Sequence, residues 1–399
     1  MSRARLDAIV VGAGVVGASA ALALARDGRR VALVEAREPA PWRPEAADLR
    51  VVAFAPDNAA LLDSLGVWAP VLAARAQPYR HMRVWDAAGG GELAFHADAL
   101  GRDSLGWIVE NGLLTHSLWH AMLRESGVRR YCPDTIVAIE NDAARVQVEL
   151  GSGLRLSAAL LIAADGAHSP TRTLAGIEAP RHDYGQHGLV AYVRTALPHQ
   201  GTAWQRFLPS GPLAFLPCRA DAMPGSAPGH VSSIVWTLPD AQAQRLRDGD
   251  AGEFCRELTR AFDATLGEVQ AVSARAAFPL RRQLADRYVA GRVLLAGDAA
   301  HAVHPLAGQG VNLGLRDVAC LRALLQQAGD RDLGAAHRLA RYQRQRRSED
   351  TLAAYGFEAI NRVFSNDALW PTLLRGPLLG AIGRIAPLTQ RLARVAAGI

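Results

Sequence analysis

Residues 9–35 read IVVGAGVVGASAALALARDGRRVALVE. The apolar run Ile9-Val10-Val11 predicts a buried parallel strand. Gly12-Ala13-Gly14-Val15-Val16-Gly17 follows as G-x-G-x-x-G. In that pattern Gly12 permits a tight turn, Gly14 lets the backbone approach a diphosphate, and Gly17 lets the next helix pack close to the sheet. The phosphates would sit at the helix N-terminus, where unpaired N–H groups and the helix dipole favour anions. A second apolar strand, 31–34, ends at Glu35. An acid there suits a ribose diol and would repel a 2′-phosphate.

Almost a full chain away, residues 291–316 read GRVLLAGDAAHAVHPLAGQGVNLGLR. A short strand at 293–296 exits through Gly297-Asp298, where a carboxylate can accept hydrogen bonds from sugar-alcohol hydroxyls. The run 305–310 offers backbone N–H groups at the start of a helix expected over 311–325, an arrangement that stabilises negative charge. Two glycine-rich elements so far apart imply one long cofactor held from two sides, and FAD fits that layout. His301 and His304 lack a third metal ligand nearby, so no metal is expected. His304 is a candidate acid–base residue.

Composition narrows the class. With 399 residues and a hydrophobic fraction of 50%, the chain can bury a large core. All 44 basic residues are arginine, and the net charge is only +6. These arginines are scattered rather than blocked, which argues against nucleic-acid binding. Cys132, Cys218, Cys255 and Cys320 show no CxxC spacing and read as reduced thiols of a cytoplasmic protein. Arg3, Arg5 and Asp7 lead straight into the first strand, so no signal peptide is expected.

Between the two glycine-rich segments the pattern changes repeatedly. A strand and a helix capped by Asp57 are expected in 49–68, a hairpin in 79–96, a helix over 113–124, and strands over 128–138, 145–150 and 155–163. Ala163-Ala164-Asp165-Gly166 reads as a strand ending at an acid and a turn. Runs at 189–193, 203–208, 213–216 and 231–238 alternate like antiparallel sheet. Helices are expected over 251–264 and 335–361. The tail 369–396 is apolar, carries Arg375, Arg384, Arg391 and Arg394, and has no acid. It reads as short packed helices or as a surface resting on a membrane.

Several stretches together resemble one family: 12–17 with Glu35, DLRVVAFAPDNAALLDSLGVW from Asp48, VENGLLTHSLW from Val109, AADGAHSPTR from Ala163, WQRFLPSGPLAFLP from Trp204, and GDAAHAVHPLAGQGVNLGLRD from Gly297. The chain is similar, over nearly its full length, to the ubiquinone-biosynthesis hydroxylases, a branch of the FAD-dependent aromatic monooxygenases related to para-hydroxybenzoate hydroxylase. The resemblance implies an α/β fold: a Rossmann-like FAD-binding domain, an inserted antiparallel-sheet substrate domain, and a helical C-terminal tail. The expected division gives residues 1–75, 106–182 and 281–335 to the FAD domain. It gives the hairpin 76–105 and the sheet 183–280 to the substrate domain, and 336–399 to C-terminal helices.

Site residues are implied position by position. Gly12, Gly14, Val16, Gly17, Glu35, Arg50, Asp165, Gly166, Asp298, Pro305, Gly308, Gly310, Val311 and Asn312 would contact FAD. His304, Pro305, Gly308 and Gln309 would border the reacting ring. Phe207, Phe215, Leu216 and Pro217 would line the substrate pocket. NADPH or NADH would serve as a transient reductant without its own Rossmann domain. Other implied partners are a lipid-tailed aromatic substrate, proteins of a ubiquinone-biosynthesis complex, a second copy of the chain, and the inner-membrane surface. The expected reaction is ring hydroxylation of a polyprenylated phenol or quinone precursor with O2. The alternatives are hydroxylation of a soluble aromatic metabolite, or a flavin-binding scaffold without activity. Val51-Val52-Ala53 departs from the family, which often places a small hydroxyl residue there.

Overall fold

A computed structural model describes residues 6–87, 91–302, 309–329 and 331–364. Its first layer is a largely parallel sheet. The strands run in the order Val289–Ala290, Val293–Leu295, Arg155–Ala163, Leu6–Val11, Val31–Val34 and Val128–Tyr131. Leu6–Val11 lies between Arg155–Ala163 and Val31–Val34, parallel to both. Alternation along this strand gives it two buried faces. Ala8 and Val10 meet the helices Val15–Arg26, Asn111–Leu123 and Gln309–Gln326, while Ile9 and Val11 lie beneath the hairpin Ile136–Asn141/Val146–Leu150.

The second layer is a nine-stranded sheet, antiparallel except where His81–Asp86 runs parallel to Thr202–Leu208. Its long strand Arg181–Thr195 pairs with Val231–Pro239, Ala276–Leu284 and Val269–Val272. One face, with Leu189, Trp204, Leu213, Phe215 and Trp236, packs on Phe254 and Phe262 of the helical region behind it. The other face, with Tyr192, Ala203, Ala214 and Leu216, meets Ala53 and Ile108 of a small sheet made by Val51–Phe54, Gln77–Tyr79 and Gly106–Glu110. This is the expected fold class, a Rossmann-like α/β domain joined to an antiparallel sheet domain.

One segment belongs to both layers. Val293–Leu295 pairs with Arg155–Ala163 in the parallel sheet, and His301–Ala302 pairs with Gln283 and Leu284 in the antiparallel one. Asp298 therefore stands at the junction of the two layers.

Some local expectations need correction. The expected strand 128–138 is two strands, Val128–Tyr131 and Ile136–Asn141, which occupy different places in the sheet. Asp57 is not a helix cap: Ala55 holds that position, Pro56 opens the helix Pro56–Ser64, and Asp57 lies in its first turn, paired with Arg316 at 2.7 Å. A helix over Asp240–Asp248 was not expected, because only Ala243 and Leu246 of its polar sequence are buried. The helix Ala336–Phe364 matches the one expected over 335–361. The tail 369–396 lies outside the described residues. Among the described residues, no helix is long and apolar enough to cross a membrane.

Candidate active site

The N-terminal cradle is built from three glycines with different duties. Gly12 has φ +97°, and a Cβ there would lie 2.4 Å from the Ala164 carbonyl oxygen. At Gly17 a Cβ would lie 2.0 Å from the Gly12 oxygen. Both positions are closed to any side chain by backbone. Gly14, the N-cap of helix Val15–Arg26, is exposed and a Cβ there would meet no atom within 4 Å. The empty space lies on the outer side of the helix end, where first-turn N–H groups have no partner within the helix. That is the space a diphosphate needs.

Glu35 closes the cradle from the side. Its Oε2 accepts the Ala13 N–H at 2.5 Å and Oε1 accepts the Arg37 N–H at 3.1 Å. One carboxylate thus fixes the glycine loop while remaining half-buried at the end of its strand. Asp165 lies beneath the loop, with its Cα 3.0 Å from the Cβ position of Gly12. Its carboxylate accepts the Ser169 hydroxyl and, at 3.0 Å, the Thr171 N–H. Gly166 has φ +85° and turns the chain away. Arg50 is largely exposed. Asp48, which accepts its backbone N–H, also accepts the Gly112 N–H at 2.9 Å, so the Arg50 loop is tied to the start of helix Asn111–Leu123.

The second glycine-rich segment meets the cradle through Val16. A Cβ on Gly297 would lie 3.0 Å from Val16 Cγ2. The Val16 side chain thus packs between the two halves of the site, and its backbone N–H lies in the first turn of helix Val15–Arg26. Every other residue of 295–301 points into the protein. The Leu295 carbonyl accepts the Tyr342 hydroxyl at 3.0 Å, Gly297 N–H donates to Asp317 at 2.8 Å, and the Ala299 carbonyl accepts Arg172 at 2.9 Å. The Asp298 side chain is the exception. It is exposed, yet surrounding protein raises its carboxyl above the usual range, with His301 opposing the shift. It has no hydrogen-bond partner among the described residues, and its Oδ1 lies 3.9 Å from the Cβ position of Gly310. Gly310 and Val311 lie in the first turn of helix Gln309–Gln326.

The Asn312 side chain is engaged within the protein. Its Oδ1 accepts the Ala55 N–H and the Asn58 amide, and its Nδ2 donates to the Ala53 carbonyl. The side chain is consumed in stapling this helix to strand Val51–Phe54, leaving only the Asn312 backbone for a cofactor. His304, Pro305 and Gly308 lie outside the described residues, and Gln309 opens the helix.

The four pocket residues do not come together. Phe215 stacks on Phe262 at 4.0 Å between ring centres, on the face of the sheet turned from the cradle. Its expected place in the pocket is corrected, because alternation sends Leu216 to the opposite face with Tyr192. Pro217 shares the parity of Phe215 and is buried. Phe207 is buried with Val84, flanked by Met82 and Leu93 of the adjoining hairpin.

Sequence reasoning missed a buried network behind Asp298. His301 Nε2 lies 2.7 Å from Asp317 Oδ2 and 3.4 Å from Asp350 Oδ2. Arg346 donates to Asp317 Oδ1 at 2.6 Å and to Asp350 Oδ1 at 2.7 Å. Burial opposes the imidazolium, but the two carboxylates override it and raise His301 to about 9. The ligand atoms of His301, Asp317 and Asp350 lie within 4.8 Å of one another. Arg346 already holds an oxygen of each carboxylate, and burial raises the Asp350 carboxyl above the usual range, so the cluster reads as an internal hydrogen-bonded ion-pair network rather than a metal site. Only the i,i+4 spacing of Arg346 and Asp350 was visible in the sequence.

The cradle and junction fit FAD: Gly14 leaves room for the diphosphate, and Asp298 is an accessible acceptor for the ribitol. The family model described as FAD binding domain matches residues 5–353. The chain belongs to the FAD-dependent aromatic monooxygenases related to the ubiquinone hydroxylases, and is a flavin-dependent oxidoreductase. It is 37% identical to the ubiquinone hydroxylase UbiL of Rhodospirillum rubrum over 98% of its own length and 89% of that protein. With the 3-demethoxyubiquinol 3-hydroxylase of Escherichia coli it shares 34% identity over the whole of both chains. Its fold matches the crystal structure of Klebsiella pneumoniae HpxO complexed with FAD and uric acid, with a TM-score of 0.73 and 21% identity, covering 98% of this chain and 97% of that one.

Proposed function

We propose that the chain hydroxylates the aromatic ring of a polyprenylated phenol or quinone precursor of ubiquinone, using NADPH or NADH and O2. The observation that carries this reading is the 34% identity with 3-demethoxyubiquinol 3-hydroxylase over both complete chains. Bound FAD would supply the oxygen-activating redox chemistry. The chain's own residues supply position and environment. Gly14 and the first-turn N–H groups of helix Val15–Arg26 receive the diphosphate, and Asp298 accepts a ribitol hydroxyl. The N-terminus of helix Gln309–Gln326 favours negative charge beside Asp298. The apolar sheet face bearing Ala214 and Leu216 excludes water from the layer junction, which protects a reactive site from solvent. A lipid-tailed substrate also accords with the membrane-surface reading of the sequence 369–396.

The test is complementation of quinone-deficient strains, each blocked at one ring hydroxylation, followed by lipid analysis. Restoration of the hydroxylated quinone in one strain supports the reading and identifies the ring position. Purified holoenzyme whose reduction by NADPH is stimulated only by soluble phenols, with no strain restored, would replace it with a soluble-metabolite hydroxylase. No reduction under any condition would leave a scaffold.

A further inference from the structure

The network behind Asp298 joins three separate elements. His301 and the Gly297 N–H belong to the segment crossing between the sheets. Asp317 belongs to helix Gln309–Gln326, and Arg346 and Asp350 belong to helix Ala336–Phe364. All four charged side chains are at most 2% exposed. Burying ionisable side chains in such a cluster is costly, and apolar residues of similar size commonly give equal or greater stability. Stability alone therefore does not account for the network. What it provides is direction: the Asp317 carboxylate takes one N–H and one imidazole from the segment, and Arg346 holds that carboxylate from behind. Tyr342 and Arg172 fasten carbonyls on either side. Within 295–301 these ties leave Asp298 facing outward.

We propose that Asp317, held by Arg346 and His301, is a positioning residue that aims Asp298 at the FAD ribitol. The inference rests on the reading that Asp298 contacts FAD. It makes helix Ala336–Phe364 part of the cofactor site's support.

The test is a double-mutant cycle on the full-length protein, with FAD affinity read by flavin fluorescence and apoprotein melting followed alongside. Asp298→Asn alone should weaken FAD binding. Asp317→Asn should weaken it about tenfold or more, the scale of a lost charge-assisted hydrogen bond, and should shift the visible absorption of bound flavin. In the Asp298→Asn background the effect of Asp317→Asn should largely vanish. Additive effects, or lowered melting with unchanged FAD affinity, would show a merely structural network and overturn the proposal. A silent Asp298→Asn would instead remove the ribitol reading, and the proposal with it. If Asp317→Asn does not fold, the same cycle with Asp350→Asn, which frees Arg346 from one of the three carboxylates it holds, Asp317, Glu349 and Asp350, applies with the same expected and contrary results.

Discussion

Val16 fills the space left by the absent side chain of Gly314: a Cβ on Gly314 would lie 2.5 Å from Val16 Cγ2. The two residues are almost three hundred positions apart, yet their contact fixes the spacing between the cradle helix and helix Gln309–Gln326. Gly314→Ala should destabilise the protein by about 1–3 kcal/mol through overpacking. Val16→Ala in the same chain should restore much of that loss. Chemical denaturation of the two single variants and the double variant gives the comparison, and a double variant worse than the sum of the singles would count against the contact.

The cradle glycines should separate folding from binding. Gly17→Ala forces a Cβ onto the Gly12 carbonyl and should lower the melting temperature even without cofactor. Gly14→Val has room within the protein and an ordinary φ of −64°, so the apoprotein should melt normally. Its side chain occupies the diphosphate space, so FAD affinity should fall about tenfold or more. Equal affinity in Gly14→Val would place the diphosphate elsewhere.

His301 predicts a specific pH dependence. Its folded pKa of about 9 lies above the ordinary 6.5, because Asp317 and Asp350 outweigh the opposing effect of burial. The stabilisation it contributes is complete below pH 6.5 and is lost as pH rises through about 9. Melting temperature should decline across that window in the native protein and decline less in His301→Asn. Parallel curves would assign the alkaline loss to other groups.

Phe215→Ala should damage the fold rather than substrate handling. The ring is 1% exposed and stacked on Phe262, so truncation should cost about 3–5 kcal/mol. Leu216→Ala, on the opposite face, is the matching control. Urea unfolding and the KM for the aromatic substrate should move in opposite proportions in the two variants.

The C-terminal tail offers a separate test of the membrane proposal. Truncation after Asp367 should abolish co-sedimentation with anionic vesicles, and salt should weaken the binding of the full-length chain. Lipid binding unchanged by truncation would remove the tail as the anchor.

What the sequence disclosed was mostly local. Gly12, Gly14 and Gly17 form a contiguous pattern whose geometry follows from backbone chemistry, and Gly297-Asp298 repeats the logic of a strand exit. The face of a strand is harder to read. Phe215 and Leu216 are adjacent and both apolar, and a sheet buried on both faces gives no polar residue to mark the outside. Asn312 also reads plausibly as a ligand in its glycine-rich surroundings, because its partners Ala53, Ala55 and Asn58 come from the other end of the chain. The charge network was hidden for the same reason. Asp317 and Arg346 look like ordinary surface charges until two helices pack face to face.

The strand order also sets a timetable for synthesis. The cradle at 12–17 leaves the ribosome early, but Gly297, Gly314 and Asp317 are made only near the end. At translation speeds of about 5–20 residues per second, the interval is on the order of tens of seconds. Throughout it the Val16 side of the cradle helix and the open edge of Arg155–Ala163 lack the elements that later cover them. The nascent chain thus carries a finished phosphate loop beside unfinished apolar surface, a natural substrate for holding chaperones. A cradle closed from both sides must then await synthesis of the second glycine-rich segment rather than accompany emergence of the loop.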